Sequence, residues 1–309
     1  KLLTAVSELD QPSMPATQPH ERVEETLAGI RILAIDDSEI NLELLEDMLT
    51  SLGAEVDCAL SAAQGLDLIQ DQNRYAFDAV LCDLQMPMMD GFEFTKKLHS
   101  IREFETMPVG AVSAGVDVLR QQQAGDAGMQ AYLQKPFGSK ELADLVLSLV
   151  GESDTPALSA EKSIHASTRP QTKPRDASSD TPFDPAAGQK YWSKPATYLG
   201  QLRYFVEHYS AFDFSMELIS GKYYDSALNY SHKLKGVAAV LGLQALSESA
   251  KELELLLRQP KSPDLVTKAR NLAVVQSRLH RESIAAVEGW LATQLTDQSS
   301  VTELPKLSL

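Results

Sequence analysis

This chain of 309 residues has little of several things. It holds only 2 cysteines. Cys58 and Cys82 both stand inside apolar runs, which reads as small buried hydrophobes in a reducing compartment, not as a disulfide framework. No Cys/His cluster has the spacing of a zinc site. No stretch approaches the roughly 18 uninterrupted apolar residues of a membrane helix, and the first residues lack the basic-then-apolar order of a secretory signal. The expectation is a soluble, cytoplasmic chain without membrane contact of its own, although a longer parent could be membrane-anchored. Basic residues are scarce too: 28 Lys and Arg face 43 Asp and Glu, a net charge of −15. The imbalance is local, with 20 acids against 8 bases in residues 27–150 and 11 against 13 in residues 186–297. An acidic first half and a nearly neutral second half lack the basic face that nucleic-acid phosphates require.

What is present is ordinary globular content, 43% hydrophobic and 23% charged, at a length that suits two domains. Residues 151–185 are dense in Ser, Thr and Pro and can bury no core, so they are expected to be a flexible linker. Residues 1–26 read as a stub and a shorter linker, and residues 298–309 as a tail. Between them, residues 27–150 alternate strand and helix signals. Strand-length apolar runs occur at Arg31–Ile35, Phe77–Cys82 and Val109–Val112, with weaker ones at Ala54–Ala59 and Gln130–Leu133. Five such units predict an α/β domain, a doubly wound, flavodoxin-like five-stranded parallel sheet with helices on both faces. Residues 186–297 show only helical patterns, broken at Gly221, Gly242 and residues 259–263. One stripe is Leu246, Ala250, Leu253 and Leu257, another Ala269, Leu272, Val275 and Leu279, which predicts an all-α four-helix bundle.

In a parallel sheet the functional crevice lies at the carboxyl ends of the strands. The first predicted strand ends in Asp36-Asp37, the third in Asp83, the fourth in Ser113, and the fifth leads into Lys135-Pro136. Three carboxylates that close repel one another unless a cation is present, and Mg²⁺ is the natural hard, oxygen-seeking choice. Its open positions suit a phosphoryl group, with Lys135 covering the remaining oxygens. The plainer alternative, acids that cap the following helices, does not explain why each group ends a different strand.

These residues carry a resemblance. IDDSEIN at 35–41, DLQMPMMDG at 83–91, AVSA at 111–114 and QKPF at 134–137 resemble the receiver domain of two-component signalling proteins. The resemblance implies Asp83 as the phosphoacceptor, and Asp36 and Asp37 as Mg²⁺ ligands with Asp83 and the backbone carbonyl of Gln85. It also implies Ser113 and Lys135 as phosphoryl-binding groups, and Tyr132 as an aromatic switch whose alternative is a packed strand residue.

On the helical half, Ala227, Tyr230, Leu234, Val237 and Leu241 fall on one side of a helix, about 180° from His232. The expectation is a solvent-facing imidazole with Gly236 leaving room beside it and Lys235 within reach of a phosphoryl group; the alternative is an ordinary surface histidine. SHKLKGVAAVLGL at 231–243 resembles the motif of histidine-containing phosphotransfer domains. That resemblance implies His232 as the phosphorylated residue and Lys235 as its phosphate-stabilising neighbour. Together the two resemblances imply a phosphorelay protein, the C-terminal part of a hybrid sensor histidine kinase. Its partners would be an upstream histidine kinase, in cis or in trans, and a downstream response regulator. No G-x-x-x-x-G-K-[ST] run or Gly-rich ATP lid occurs, so phosphotransfer without ATP-driven kinase activity is expected of this stretch. The alternative is a response regulator whose helical half is a docking or DNA-binding output module. Residues 1–9, with Leu2, Val6 and Leu9 at helical spacing, resemble the end of a receiver's last helix. They lead to the expectation of a preceding receiver, with a stray amphipathic remnant as the alternative.

Overall fold

The computed structural model describes residues 26–71, 76–113, 118–151, 181–209, 224–260 and 262–300. The expectations for residues 1–9, for most of the linker, and for Ala114 in the AVSA run fall outside them.

The first half is built as β1 (Arg31–Ile35), α1 (Glu39–Ser51), β2 (Glu55–Ala59), α2 (Ala62–Gln70), β3 (Ala79–Asp83), α3 (Gly91–His99), β4 (Val109–Ser113), α4 (Val118–Asp126), β5 (Ala131–Gln134) and α5 (Ser139–Val150). All strand pairs are parallel and the order is β2-β1-β3-β4-β5. The five-stranded doubly wound sheet expected from the sequence is therefore present. β3 and β4 are buried along their whole length, which is why they read as continuous apolar runs and not as alternating ones. Strand order reverses between β1 and β3, and this switch point sets the ends of those two strands side by side.

Two apolar clusters cover the sheet. Leu33, Ile35, Val80, Phe94 and Leu98 lie in the one on the α2/α3 side. The other, on the α1/α5 side, contains Leu45, Leu49, Leu142 and Val146 and continues without a break into Leu202, Phe205, Leu234 and Val237 of the helical half. One contiguous core thus spans both halves.

The helical half comprises α6 (Pro185–Gln189), α7 (Pro195–Tyr209), α8 (Tyr224–Leu241), α9 (Gln244–Leu257) and α10 (Pro263–Ser300). Four of these are long, as a four-helix bundle requires. α8 stops at Gly242, whose φ of +83° an L side chain would strain. The carbonyls left open at that end are covered from the turn after α6 and from α7: Trp192 Nε1 donates to Val240 O and Tyr198 Oη to Leu241 O, both at 3.0 Å. α10 corrects one expected stripe. Val275 is 40% exposed, while the buried face runs Ala269, Ala273, Gln276, His280 and Val287. Polar Gln276 and His280 sit inward, so a pattern drawn from apolar types alone selects the wrong angle. α10 also reaches Ser300, into the segment expected to be a tail.

α1 is unusual in being buried on two sides. Leu42, Leu45 and Leu49 face the sheet, yet Asn41, Leu44 and Asp47 are buried as well. The second face is covered by the helical half: Ser193 N donates to Asp47 Oδ2 at 2.6 Å, and Lys233 Nζ to the Asp37 carbonyl at 2.6 Å.

Candidate functional site

The strand ends bring three carboxylates together. Asp36 follows β1, Asp37 succeeds it, and Asp83 is the last residue of β3. Oxygens of all three lie within 4.8 Å of one another. The Asp36 side chain accepts from Ser38 N at 2.9 Å and from Asn41 Nδ2 at 3.1 and 3.2 Å. Asp83 Oδ2 accepts from Gln85 N at 3.2 Å. Lys135 is held at the end of β5 by its backbone, which donates to Ser113 O at 2.8 Å. Its ammonium pairs with Asp36 and reaches Asp83 Oδ1 at 3.4 Å.

The charges do not balance. Burial pushes the Asp83 carboxyl up, Lys135 pulls it back only in part, and Asp36 adds to the rise. Burial likewise raises Asp37 against the pull of Lys233. For Lys135, burial favours the neutral amine, but Asp36 and Asp83 outweigh it and hold the ammonium charged well above its usual range. Lys135 within the crevice and Lys233 at its rim still leave the three acids short of positive charge.

A divalent cation fits this shortage. The donors are hard carboxylate oxygens on converging strand ends, the set Mg²⁺ prefers. Ser113 Oγ supplies a second observation. It is fully buried at the end of β4, and no described residue hydrogen-bonds to it. A buried hydroxyl without a partner is costly unless a ligand completes it, and an incoming anion on Asp83 would do so. Gly91 keeps the adjoining turn tight, since a Cβ there would strike the Asp83 carbonyl. Tyr132 lies on β5 opposite Ala111, half-buried against the α2/α3-side cluster. That position suits its packing alternative as well as a switch.

The second group of residues sits on α8. His232 is not solvent-facing as expected: it is only 7% exposed. The helical-wheel argument located the face outside the bundle's own core, where Leu234, Val237 and Leu241 are fully buried. That face is not open to water, because the sheet domain covers it. A Cβ on Gly236, one turn from His232, would meet Asn41 Nδ2 at 3.7 Å. Lys233, the residue after His232, donates its Nζ to Asp37 O at 2.6 Å, which sets this part of α8 against the acidic cluster. The acidic cluster and the imidazole therefore belong to one site.

Lys235 is corrected in the same way. Expected on an exposed face, it is 9% exposed and ion-paired with Glu254 of α9. Burial lowers its ammonium and Glu254 opposes that. Glu254 is the main residue the sequence reading missed. Its Oε1 accepts from His232 Nδ1 at 2.9 Å and from Arg258, while its Oε2 takes Lys235. Burial would raise its carboxyl, but His232 and Lys235 together hold it well below the carboxylate range. A signal was available, because Glu254 stands four residues after Ala250 and three before Leu257, an acid on the buried stripe of α9. Lys233 was missed for a different reason: its role is to donate across to Asp37 O, a contact that lies 196 residues away in the chain.

Comparison with known proteins agrees with this geometry. Residues 32–147 match the model of the response regulator receiver domain, and residues 216–290 that of the Hpt domain. The chain is 33% identical over 119 residues to the hybrid signal transduction histidine kinase L of Dictyostelium discoideum, covering 38% of this chain and 7% of that protein. It is 33% identical over 176 residues to the sensor histidine kinase GacS of Pseudomonas protegens, covering 55% of this chain and 18% of that protein. The chain thus spans a small part of these relatives' length. It is also similar to the solved receiver domain of the sensor histidine kinase PA1611 from Pseudomonas aeruginosa, which has a magnesium ion in its active-site cleft: 29% identity, 40% of this chain and 99% of that one, TM-score 0.36. An Hpt match in the helical half displaces the DNA-binding output module considered from the sequence. The chain thus carries a response regulator receiver domain followed by an Hpt domain.

Proposed function

We propose that Asp83 accepts a phosphoryl group from a histidine kinase in a Mg²⁺-dependent reaction, that His232 takes it from Asp83, and that a downstream receiver takes it from His232. The observation that carries this reading is that α8 seats against the acidic crevice, with Lys233, the residue after His232, donating its Nζ to Asp37 O at 2.6 Å. The kinase would be either an upstream part of the same polypeptide or a separate protein.

The chain's own groups suit each step. Asp83 presents an oxygen nucleophile toward the orphaned Ser113 hydroxyl and the Lys135 ammonium, which would hold the phosphoryl oxygens. Asp36, Asp37, Asp83 and the Gln85 carbonyl would hold the metal. When bound, Mg²⁺ would offset the charge gathered by carboxylates and phosphoryl oxygens. For the second step, the carboxylate at Nδ1 favours the neutral tautomer that carries its proton there. Nε2 then has the free lone pair. It attacks phosphorus, the N–P bond forms as the bond to the Asp83 oxygen breaks, and the carboxylate is released. The ring keeps its Nδ1 proton, so its positive charge develops against Glu254 and no outside proton is needed. Lys235, held by the other oxygen of Glu254, stands ready for the transferred phosphoryl group. Glu254 acts as a positioning residue for both.

The test is labelling by a small phosphodonor such as acetyl phosphate with Mg²⁺. The wild-type chain should carry label on both residues, His232→Gln on Asp83 alone, and Asp83→Asn on neither. Label on His232 in the Asp83→Asn chain at the wild-type rate would overturn the order of transfer.

A further inference from the structure

The buried face of α10 carries a polar stripe that the phosphoryl chemistry does not use. Gln276, His280 and Ser283 follow one another at spacings of four and three residues, so they lie on one side of the helix, and none is more than 3% exposed. Neither Oε1 nor Nε2 of Gln276 has a hydrogen-bond partner among the described residues, and His280 Nε2 has none either. Ser283 Oγ reaches Pro182 O only at 3.5 Å. Ala269 and Ala273 precede the stripe and Val287 follows it, all three buried. Buried polar atoms without partners cost stability, so this seam is a weak point set between two apolar contacts.

His280 is the titratable member of the stripe. α10 packs on α7 and α9. From α7 the Phe205 ring lies 5.8 Å from the imidazole, and behind it stand the phenols of Tyr209 and Tyr230, which burial keeps neutral. On α9, Glu254 is taken by His232, Lys235 and Arg258, while Glu248, Lys251 and Glu252 are exposed. Asp184, near Pro182, caps α6. On α10 itself Arg278 and Glu282 pair with each other at the surface. Arg281 is the one charge among the described residues that acts on the ring, and it adds to burial in lowering the imidazole below its usual value. A proton on His280 would thus be a buried charge with a cation beside it and no anion among the described residues to offset it.

We propose that the α10 seam is an acid-sensitive latch: a proton on His280 releases α10 from α7, and α9 loses its backing. Leu253 and Leu257 of α9 share an apolar cluster with Ala269 and Ala273 of α10. Glu254, which holds His232 and Lys235, stands between those two leucines in the chain. The latch therefore acts on the support of His232 from behind, and it stands whether or not His232 carries a phosphoryl group.

The folded seam resists the proton, whereas a released α10 takes it up at the ordinary value of 6.5. The seam is therefore fully held above that value and loosens as pH falls below it. Between about pH 7.5 and about pH 5.5 the opening equilibrium should shift by about tenfold. Amide hydrogen exchange of the full chain, corrected for intrinsic exchange rates, reads this opening. Protection of residues 269–287 should fall by about tenfold over that range, while β3 of the receiver keeps its own. His280→Phe, or the polar and uncharged His280→Gln, should abolish the fall. Gln276→Leu removes two unpartnered atoms, so it should raise protection by about 5–30-fold at both pH values and leave the fall in place. In the wild type, NMR of the His280 ring should show it titrating below 6.5. Constant protection across the range, an equal fall in β3, a fall that persists in either His280 variant, unchanged protection in Gln276→Leu, or a ring that titrates at or above its ordinary value overturns the proposal.

Discussion

The receiver and Hpt halves bring opposite electrostatics to the same interface. The receiver crevice gathers Asp36, Asp37 and Asp83 around one lysine, and burial raises Asp83 and Asp37 because the positive charge present does not suffice. The Hpt site has the reverse balance. There a single carboxylate, Glu254, serves His232, Lys235 and Arg258 and is held strongly ionised by the first two. One site is incomplete without a cation, and the other is closed on its own side chains. On the proposed reading, this difference would make the receiver the seat of catalysis and His232 of the Hpt half a nucleophile already oriented by Glu254.

The sharpest way to break this contrast is to remove the metal. Chelation should lower labelling of Asp83 by at least about 100-fold, the scale of several kcal/mol of charge stabilisation, and leave the melting of the Hpt half unchanged. Equal labelling with and without chelator would make the two sites alike. Next in size is a packing contrast within α8. Leu234 is fully buried among apolar side chains, so Leu234→Asp should unfold the Hpt half, at a cost above about 3 kcal/mol. Lys235→Ala leaves Glu254 with His232 and Arg258, so its cost should stay near 1–2 kcal/mol while transfer slows. Circular dichroism melts beside a transfer assay separate the two variants.

A smaller effect follows from Glu254→Gln, which keeps the shape and removes the charge opposite the imidazole. Transfer through His232 should fall about 10-fold, within the range for loss of a group that orients a reacting histidine. The variant also has a pH signature. Because the folded-state carboxyl is depressed, its stabilisation is complete above the ordinary value of 4.5 and is lost as pH falls below it toward the depressed value. Wild-type stability should therefore drop through that acid range, and Glu254→Gln should flatten the drop. An identical acid limb in both proteins would remove Glu254 from the account.

The same contrast governs what could be read from the sequence. The receiver crevice is made of residues at strand ends, and an Asp doublet, a third Asp, a Ser and a Lys-Pro each closing an apolar run mark their own positions. The strand bounds moved by a residue or two, as with Ala79–Asp83 against an expected Phe77–Cys82, without displacing any of those side chains. The Hpt site is assembled from different helices, and helical periodicity describes one helix at a time. It placed His232 off the bundle core but could not say that Glu254 would reach its Nδ1 from α9, or that the receiver would cover the face. Asp47 and Leu44 were illegible for the same reason: one buried face of α1 is accounted for by Leu42, Leu45 and Leu49, and the second exists only because another domain lies against it. Gln276 and His280 show the converse, a buried face hidden by its polar residue types.

The central claim is that phosphoryl transfer reaches His232 from Asp83 and arrives at Nε2, because Nδ1 is engaged by Glu254. Phosphorus and ¹⁵N NMR of the full chain under acetyl phosphate and Mg²⁺ tests this directly. The account predicts an acyl phosphate together with an Nε2-phosphohistidine in the wild type, and neither in Asp83→Asn. Phosphate on Nδ1, or an Nε2-phosphohistidine that persists in Asp83→Asn, would contradict it.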